Sequence, residues 1–123
     1  MKWRFNNDTP IYSQLIEHIK LGIITGEFPP GTKLPSVRDI ATEAGVNPNT
    51  MQRAMAELER EGLVFSQRTS GRYVTEDHAV IAQLKRSLAM SHAESFLRAM
   101  NSLGFARDEI FALLQEAEKE EKE

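Results

Sequence analysis

The chain has no cysteine among its 123 residues, so disulfides, thiolate metal sites and a cysteine nucleophile are excluded, and a reducing compartment fits. It also lacks any apolar run near the roughly 20 residues that a membrane helix needs. The opening "MKWRFNNDTP" has neither the apolar stretch nor the small-residue cleavage site of a secretory signal. A cytoplasmic protein with no membrane partner is expected. Catalytic patterns are missing too: there is no nucleophile with a nearby base and no phosphate-binding glycine loop. His18, His78 and His92 stand without an HxxxH or paired carboxylates at helical spacing, so they read as surface or interface histidines. No enzyme, metal site or cofactor is expected.

What is present is ordinary globular material, 41% hydrophobic and 27% charged, in a length suited to one compact domain plus an appendage. The net charge of −3 argues against a nucleic-acid partner only until its distribution is read. Residues 1–75 hold 9 Lys/Arg against 8 Asp/Glu, and residues 76–123 hold 6 against 10. The acid is concentrated in a tail ending "EAEKEEKE", which reads as a solvated helix end.

Pro10 suits the first position of a helix capped by Thr9 or Asp8. Ile11, Leu15, Ile16, Ile19 and Ile23 form a buried stripe over 10–25, stopped by Gly26 and "FPPG". "TKLPS" is a short extended piece, because a residue before proline is pushed toward the β region. Ser36, reinforced by Asp39, caps a second helix over 36–44, which Gly45 ends. Asn47 caps a third helix with Pro48 at its first position and Met51, Ala54, Met55 and Leu58 inward. Two helices joined by a short turn with glycine make a helix-turn-helix, whose second helix presents its amino end to a major groove. "LVFSQ" and "RYVTE" flank the turn formers "RTSG" and predict a β-hairpin. Its tip and flanks carry Arg68, Thr69, Ser70, Gly71 and Arg72. The whole is a winged helix, mainly α with a small hairpin. From Asp77 to Gly104 a long helix leaves a stripe of Ile81, Leu84, Leu88, Phe96, Met100 and Leu103, and a last helix over about 106–119 carries Ile110, Phe111, Leu113, Leu114 and Ala117. Two amphipathic helices cannot bury this surface on one small domain, so a second copy of the chain is the expected partner. The organisation expected is a winged DNA-binding domain over 1–75 and a two-helix dimerisation tail over 76–123.

"PIYSQ", the "GxKLPSxRxIA" stretch and "VNPNT", in this order and spacing across residues 8–75, resemble the DNA-binding domain of the GntR family of bacterial transcription regulators. The two-helix tail is similar to that of the YtrA subfamily, whose members dimerise through it. The resemblance implies DNA contact by Arg38 of "LPSxR", by Asn47, Asn49 and Thr50 at the start of the recognition helix, and in the minor groove through Gly71. It departs at Gln52, where many relatives carry Arg, and at Thr69, where many carry a second glycine. Gln favours adenine and Arg favours guanine, so base preference stays open.

The residues support the same surface without the family. A helix amino terminus carries partial positive charge and free N–H groups that suit a phosphate, and Asn47, Asn49, Thr50, Gln52 and Arg53 have the length to reach base edges or phosphates. Capping accounts for Asn47 in part, but not for Asn49, Gln52 and Arg53 on the outward face. Arg38 opposes the dipole of the second helix, which points to a partner outside it; a local ion pair with Asp39 or Glu43 is the alternative. Lys33, Arg68 and Arg72 are either phosphate contacts or ordinary exposed bases, and Ser36 completes the candidate set. In the tail, Met90, Phe96, Met100, Phe105 and Phe111 would build a dimer core, with a small-molecule pocket as the alternative. The reading is therefore a homodimeric regulator, a repressor, of a palindromic double-stranded operator, with release by a small-molecule effector as an added expectation. A winged-helix module that binds protein and not DNA is the competing class. The acidic tail, ending after two helices, is expected to close a complete short chain.

Overall fold

Helix α1, Ile11–Thr25, forms because Leu15, Ile16, Ile19 and Ile23 recur on one face, and all four are buried. In this computed structural model, which describes residues 2–68 and 70–122, Pro10 is itself the cap of α1, and no side chain caps it. Thr9 and Asp8 do not take that role. Instead Gln14 reaches back: its Nε2 donates to the carbonyls of Thr9 (2.8 Å) and Asn6 (2.9 Å), and the Asn6 N–H donates to its Oε1 at 2.9 Å. The arm before α1 is held further by Trp3 and Phe5, whose rings lie 5.2 and 5.4 Å from that of His18. His18 Nε2 donates to the Arg4 carbonyl at 2.9 Å, which fixes its tautomer.

Helix α2, Val37–Ala44, is capped as expected, with the Asp39 N–H donating to Ser36 Oγ at 3.1 Å. Gly45 ends it at φ 72°, a conformation that glycine adopts without steric cost. Helix α3, Pro48–Arg60, starts from Asn47, whose side chain accepts the Asn49 N–H at 2.8 Å. Met51, Ala54, Met55 and Leu58 face inward and meet α1 and Ile40 and Ala41 of α2 in one core. Each large side chain fully buried there contributes about 1.5–3 kcal/mol relative to exposure.

Strands β1, Val64–Gln67, and β2, Gly71–Val74, pair antiparallel in the register Val64↔Val74, Phe65↔Tyr73, Ser66↔Arg72 and Gln67↔Gly71. Alternation decides the faces. Val64 and Val74 enter the core, and Phe65 stacks on Tyr73 on the other side with ring centroids 5.9 Å apart. The free edge of β2 is taken by the extended segment that the sequence placed before α2: Leu34 donates to Arg72 O at 2.8 Å and Val74 donates to Thr32 O at 2.9 Å.

Helix α4, His78–Ser102, is long and has no fully buried residue. The chain forms two compact units, Met1–Lys85 and Arg86–Glu123, which divide inside α4. Ile81 and Leu84, expected in a dimer seam, belong to the first unit and pack with Val80 against the winged core. In the second unit α5, Arg107–Lys122, follows a turn at Gly104, and the Ala106 N–H donates to Glu109 Oε1 at 2.9 Å as a cap. Ile110 is buried there, at 4% exposure, whereas Leu103 is 71% and Phe111 53% exposed. Phe96 and Leu114 are also exposed, and Leu88 and Met100 are half-buried.

Candidate nucleic-acid interface

The amino end of α2, the outer face of α3 and the hairpin enclose an open groove of about 1050 Å³. Its walls include Lys33, Ser36, Arg38, Gln52, Arg68, Gly71 and Arg72, all of them candidates read from the sequence. Ser36 spends its hydroxyl oxygen on the α2 cap. Arg38 is exposed and makes no ion pair with any described carboxylate, Asp39 and Glu43 included. The pair with Asp39 is not realised, although Asp39 lines the same groove, and the Arg38 guanidinium stands against the helix dipole at the groove wall. Lys33 lies along the hairpin tip: a methyl group on Gly71, whose φ is 107°, would meet Lys33 Cε at 3.2 Å. Glycine at this position lets the two walls approach.

Arg72 differs from that expectation. It is half-buried, and its Nε donates to Glu59 Oε1 at 3.2 Å, while Ser66 Oγ donates to the same oxygen at 2.5 Å. Ser66 and Arg72 are cross-strand partners, so one carboxylate ties both strands of the wing to the end of α3. The Ser66 hydrogen bond holds Glu59 below the usual glutamate range; burial opposes it, and the Arg72 guanidinium adds to the lowering. Arg72 thus shapes the groove wall from a committed position. Sequence reading missed Glu59 because its partners arrive only when the hairpin folds back; Gln67 and Ser70, also on the wall, sit among turn formers that carry no separate signal.

Asn47, Asn49, Thr50 and Arg53 lie outside the groove lining. The first three cluster at the amino terminus of α3, with Asn47 and Asn49 exposed and Thr50 half-buried. Arg53 is exposed, and its Cζ stands 4.4 Å from the centroid of the Tyr12 ring of α1. Thr69 lies outside the described residues. Among the described residues no cluster of ligating side chains suits a metal, and no helix is long and apolar enough to cross a membrane.

This architecture is a winged helix-turn-helix. The family model described as "Bacterial regulatory proteins, gntR family" matches residues 11–74, which cover all of α1 through β2. The chain belongs to the GntR family. The HTH-type transcriptional repressor YtrA of Bacillus subtilis is 46% identical over 71 residues, covering 58% of this chain and 55% of that protein. A solved GntR family transcriptional regulator from Listeria monocytogenes is 40% identical with a TM-score of 0.87, covering 91% of this chain and 98% of that one. The AraR DNA-binding domain, solved in complex with operator ORX1, is 26% identical with a TM-score of 0.56, covering 61% of this chain and 96% of that one. GntR proteins are transcription regulators and not enzymes, which agrees with the missing catalytic constellation. The GntR domain here presents polar and cationic side chains on α2, α3 and the wing, the chemistry needed to bind DNA.

Proposed function

We propose that the chain is a homodimeric repressor that binds a palindromic operator, one recognition helix per half-site. The observation that carries the reading is the groove between α2, α3 and the wing, where Lys33, Arg38 and Arg68 stand without a carboxylate partner among the described residues. In this reading Arg38, Lys33 and Arg68 contact phosphates, Asn49 and Gln52 address base edges, and Asn47 and Thr50 bring the α3 terminus against the backbone. Gly71 lets the wing tip enter a minor groove. Two copies joined through Leu88, Phe96, Met100, Leu103, Phe111 and Leu114 around Ile110 would set the half-sites about one helical turn, 34–36 Å, apart or at a multiple of it. The exposure of Leu103, Phe111 and Leu114 supports a partner for that surface. A repressor is favoured by the name of the YtrA relative. The reading includes a small-molecule effector acting at the tail, which thermal shifts against a metabolite panel would test.

The test of DNA binding is selection from a random duplex pool by the full chain, then fluorescence anisotropy on the enriched duplex across a salt series. The expected result is a palindromic consensus and affinity that falls steeply with salt. Arg38→Ala should weaken enriched and random duplexes alike and lower the salt slope by about one. Salt-insensitive or undetectable binding would overturn the reading and favour the protein-interaction class.

A further inference from the structure

We infer that Tyr12 is a positioning residue for DNA contact, holding the Arg53 guanidinium beside the recognition helix as a backbone clamp outside the groove that Gln52 lines. The inference rests on the DNA-binding reading above. Neighbouring residues on a helix point about 100° apart, so Gln52 and Arg53 leave α3 in different directions. Gln52 lies in the groove wall, and Arg53 projects to the α1 side, with Cζ 4.4 Å from the Tyr12 ring centroid. That is well inside the roughly 6 Å over which a ring face attracts a cation.

What the ring does to Arg53 differs from what carboxylates do to its neighbours. Arg60 is paired with Glu57, Arg72 with Glu59, and Lys20 with Glu61, so each of those cations is neutralised locally. Among the described residues Arg53 has no ion pair, so it keeps its full charge and no carboxylate occupies the N–H groups that an oxyanion would use. A long exposed side chain would otherwise sample many rotamers, and the ring limits that freedom before DNA arrives. Tyr12 suits the task because it is half-buried and packed against the winged core. Its hydroxyl makes no hydrogen bond among the described residues, so the ring face and not the hydroxyl is the working part. Phosphate is the ligand this arrangement fits: a charge presented beside the groove, not within it, meets the sugar-phosphate strand that borders the bases read by α3.

The experiment measures anisotropy with the full chain on two probes, the duplex enriched by the wild type and a random duplex of equal length, over a salt series. Tyr12→Phe should bind both as the wild type does. Tyr12→Leu should weaken both by about two- to fivefold, the range of an exposed cation–ring contact, without changing the ratio between them. Arg53→Gln should weaken both and lower the salt slope by about one. In the Arg53→Gln background, Tyr12→Leu should have no further effect. Tyr12→Met, whose flexible thioether fills the same space, is the second ring-less variant if Tyr12→Leu lowers the melting temperature. The inference is overturned if Tyr12→Phe is as weak as the ring-less variants, if these bind as the wild type does, or if their loss persists without Arg53. Failure of the wild type itself to bind either duplex is a different result: it removes the DNA-binding reading, and this inference with it.

Discussion

Glu59 shows how one side chain can govern a functional surface it does not belong to. Its carboxylate accepts Ser66 Oγ and Arg72 Nε from opposite strands of the wing, so its charge adds a polar tie between wing and α3 to the apolar packing of Val64 and Val74. Ser66 and Arg72 lower its pKa, and Arg60 lowers that of Glu57, so the folded state binds fewer protons than the unfolded chain as pH falls. Their contribution to stability is therefore complete above the ordinary glutamate value of about 4.3 and is lost as pH falls through the lowered folded value. Urea midpoints measured between neutral and acid pH should fall in this window. Glu59→Gln, which cannot titrate, should start lower at neutral pH and show a shallower acid decline. An unchanged decline would place the sensitivity elsewhere. The same variant frees Arg72, so random-duplex affinity should rise or hold even as the fold weakens.

Among the elements, α3 carries both a structural and a recognition burden at its amino end, and the two can be separated. Asn47 accepts the Asn49 N–H, and loss of such a cap costs about 1 kcal/mol. Asn47→Ala should therefore lower the unfolding free energy by about that amount, whereas Asn49→Ala should leave it within about 0.5 kcal/mol, as exposed substitutions do. Both should weaken the enriched duplex; equal stability losses would contradict the division. The helices were legible in the sequence because their signals are local: the 3.6-residue stripe of α1, Ser36 with Asp39, Asn47 with Pro48, and Gly26 and Gly45 at the ends. The hairpin was legible from "RTSG" between two alternating runs. The cap of α1 was misread because no side chain takes that role; Gln14, one turn into the helix, binds the backbone of Asn6 and Thr9 and seats the preceding arm instead. The roles of Tyr12 toward Arg53 and of Glu59 toward the wing were illegible, since each pairs residues far apart in the chain that only the packed fold brings together. The groove residues fell between these cases: their chemistry was readable, but Arg72 had been spoken for by α3, and no local pattern says so.

At the scale of the whole chain, the first turns of α4 belong to the winged unit through Val80, Ile81 and Leu84, and this changes how self-association should be tested. A cut after Glu76 would strip apolar cover from the core and confuse unfolding with dissociation. A cut after Lys85 keeps that cover, and the shortened chain should remain folded by circular dichroism, sediment as a monomer and bind the enriched duplex far more weakly. In the full chain, Leu103→Glu with Phe111→Glu, both at exposed positions, should produce the same monomer; a dimer that survived both changes would move the interface away from the tail. Trp3 is the chain's single tryptophan, and it rests against Phe5 and His18 with its indole N–H buried and unpaired among the described residues. Intrinsic emission therefore comes from one indole lodged at the amino-terminal arm, far along the chain from every candidate DNA contact. Its colour and intensity report whether that arm is seated on α1, and an optical melt can run ahead of the ellipticity melt without any intermediate in the core.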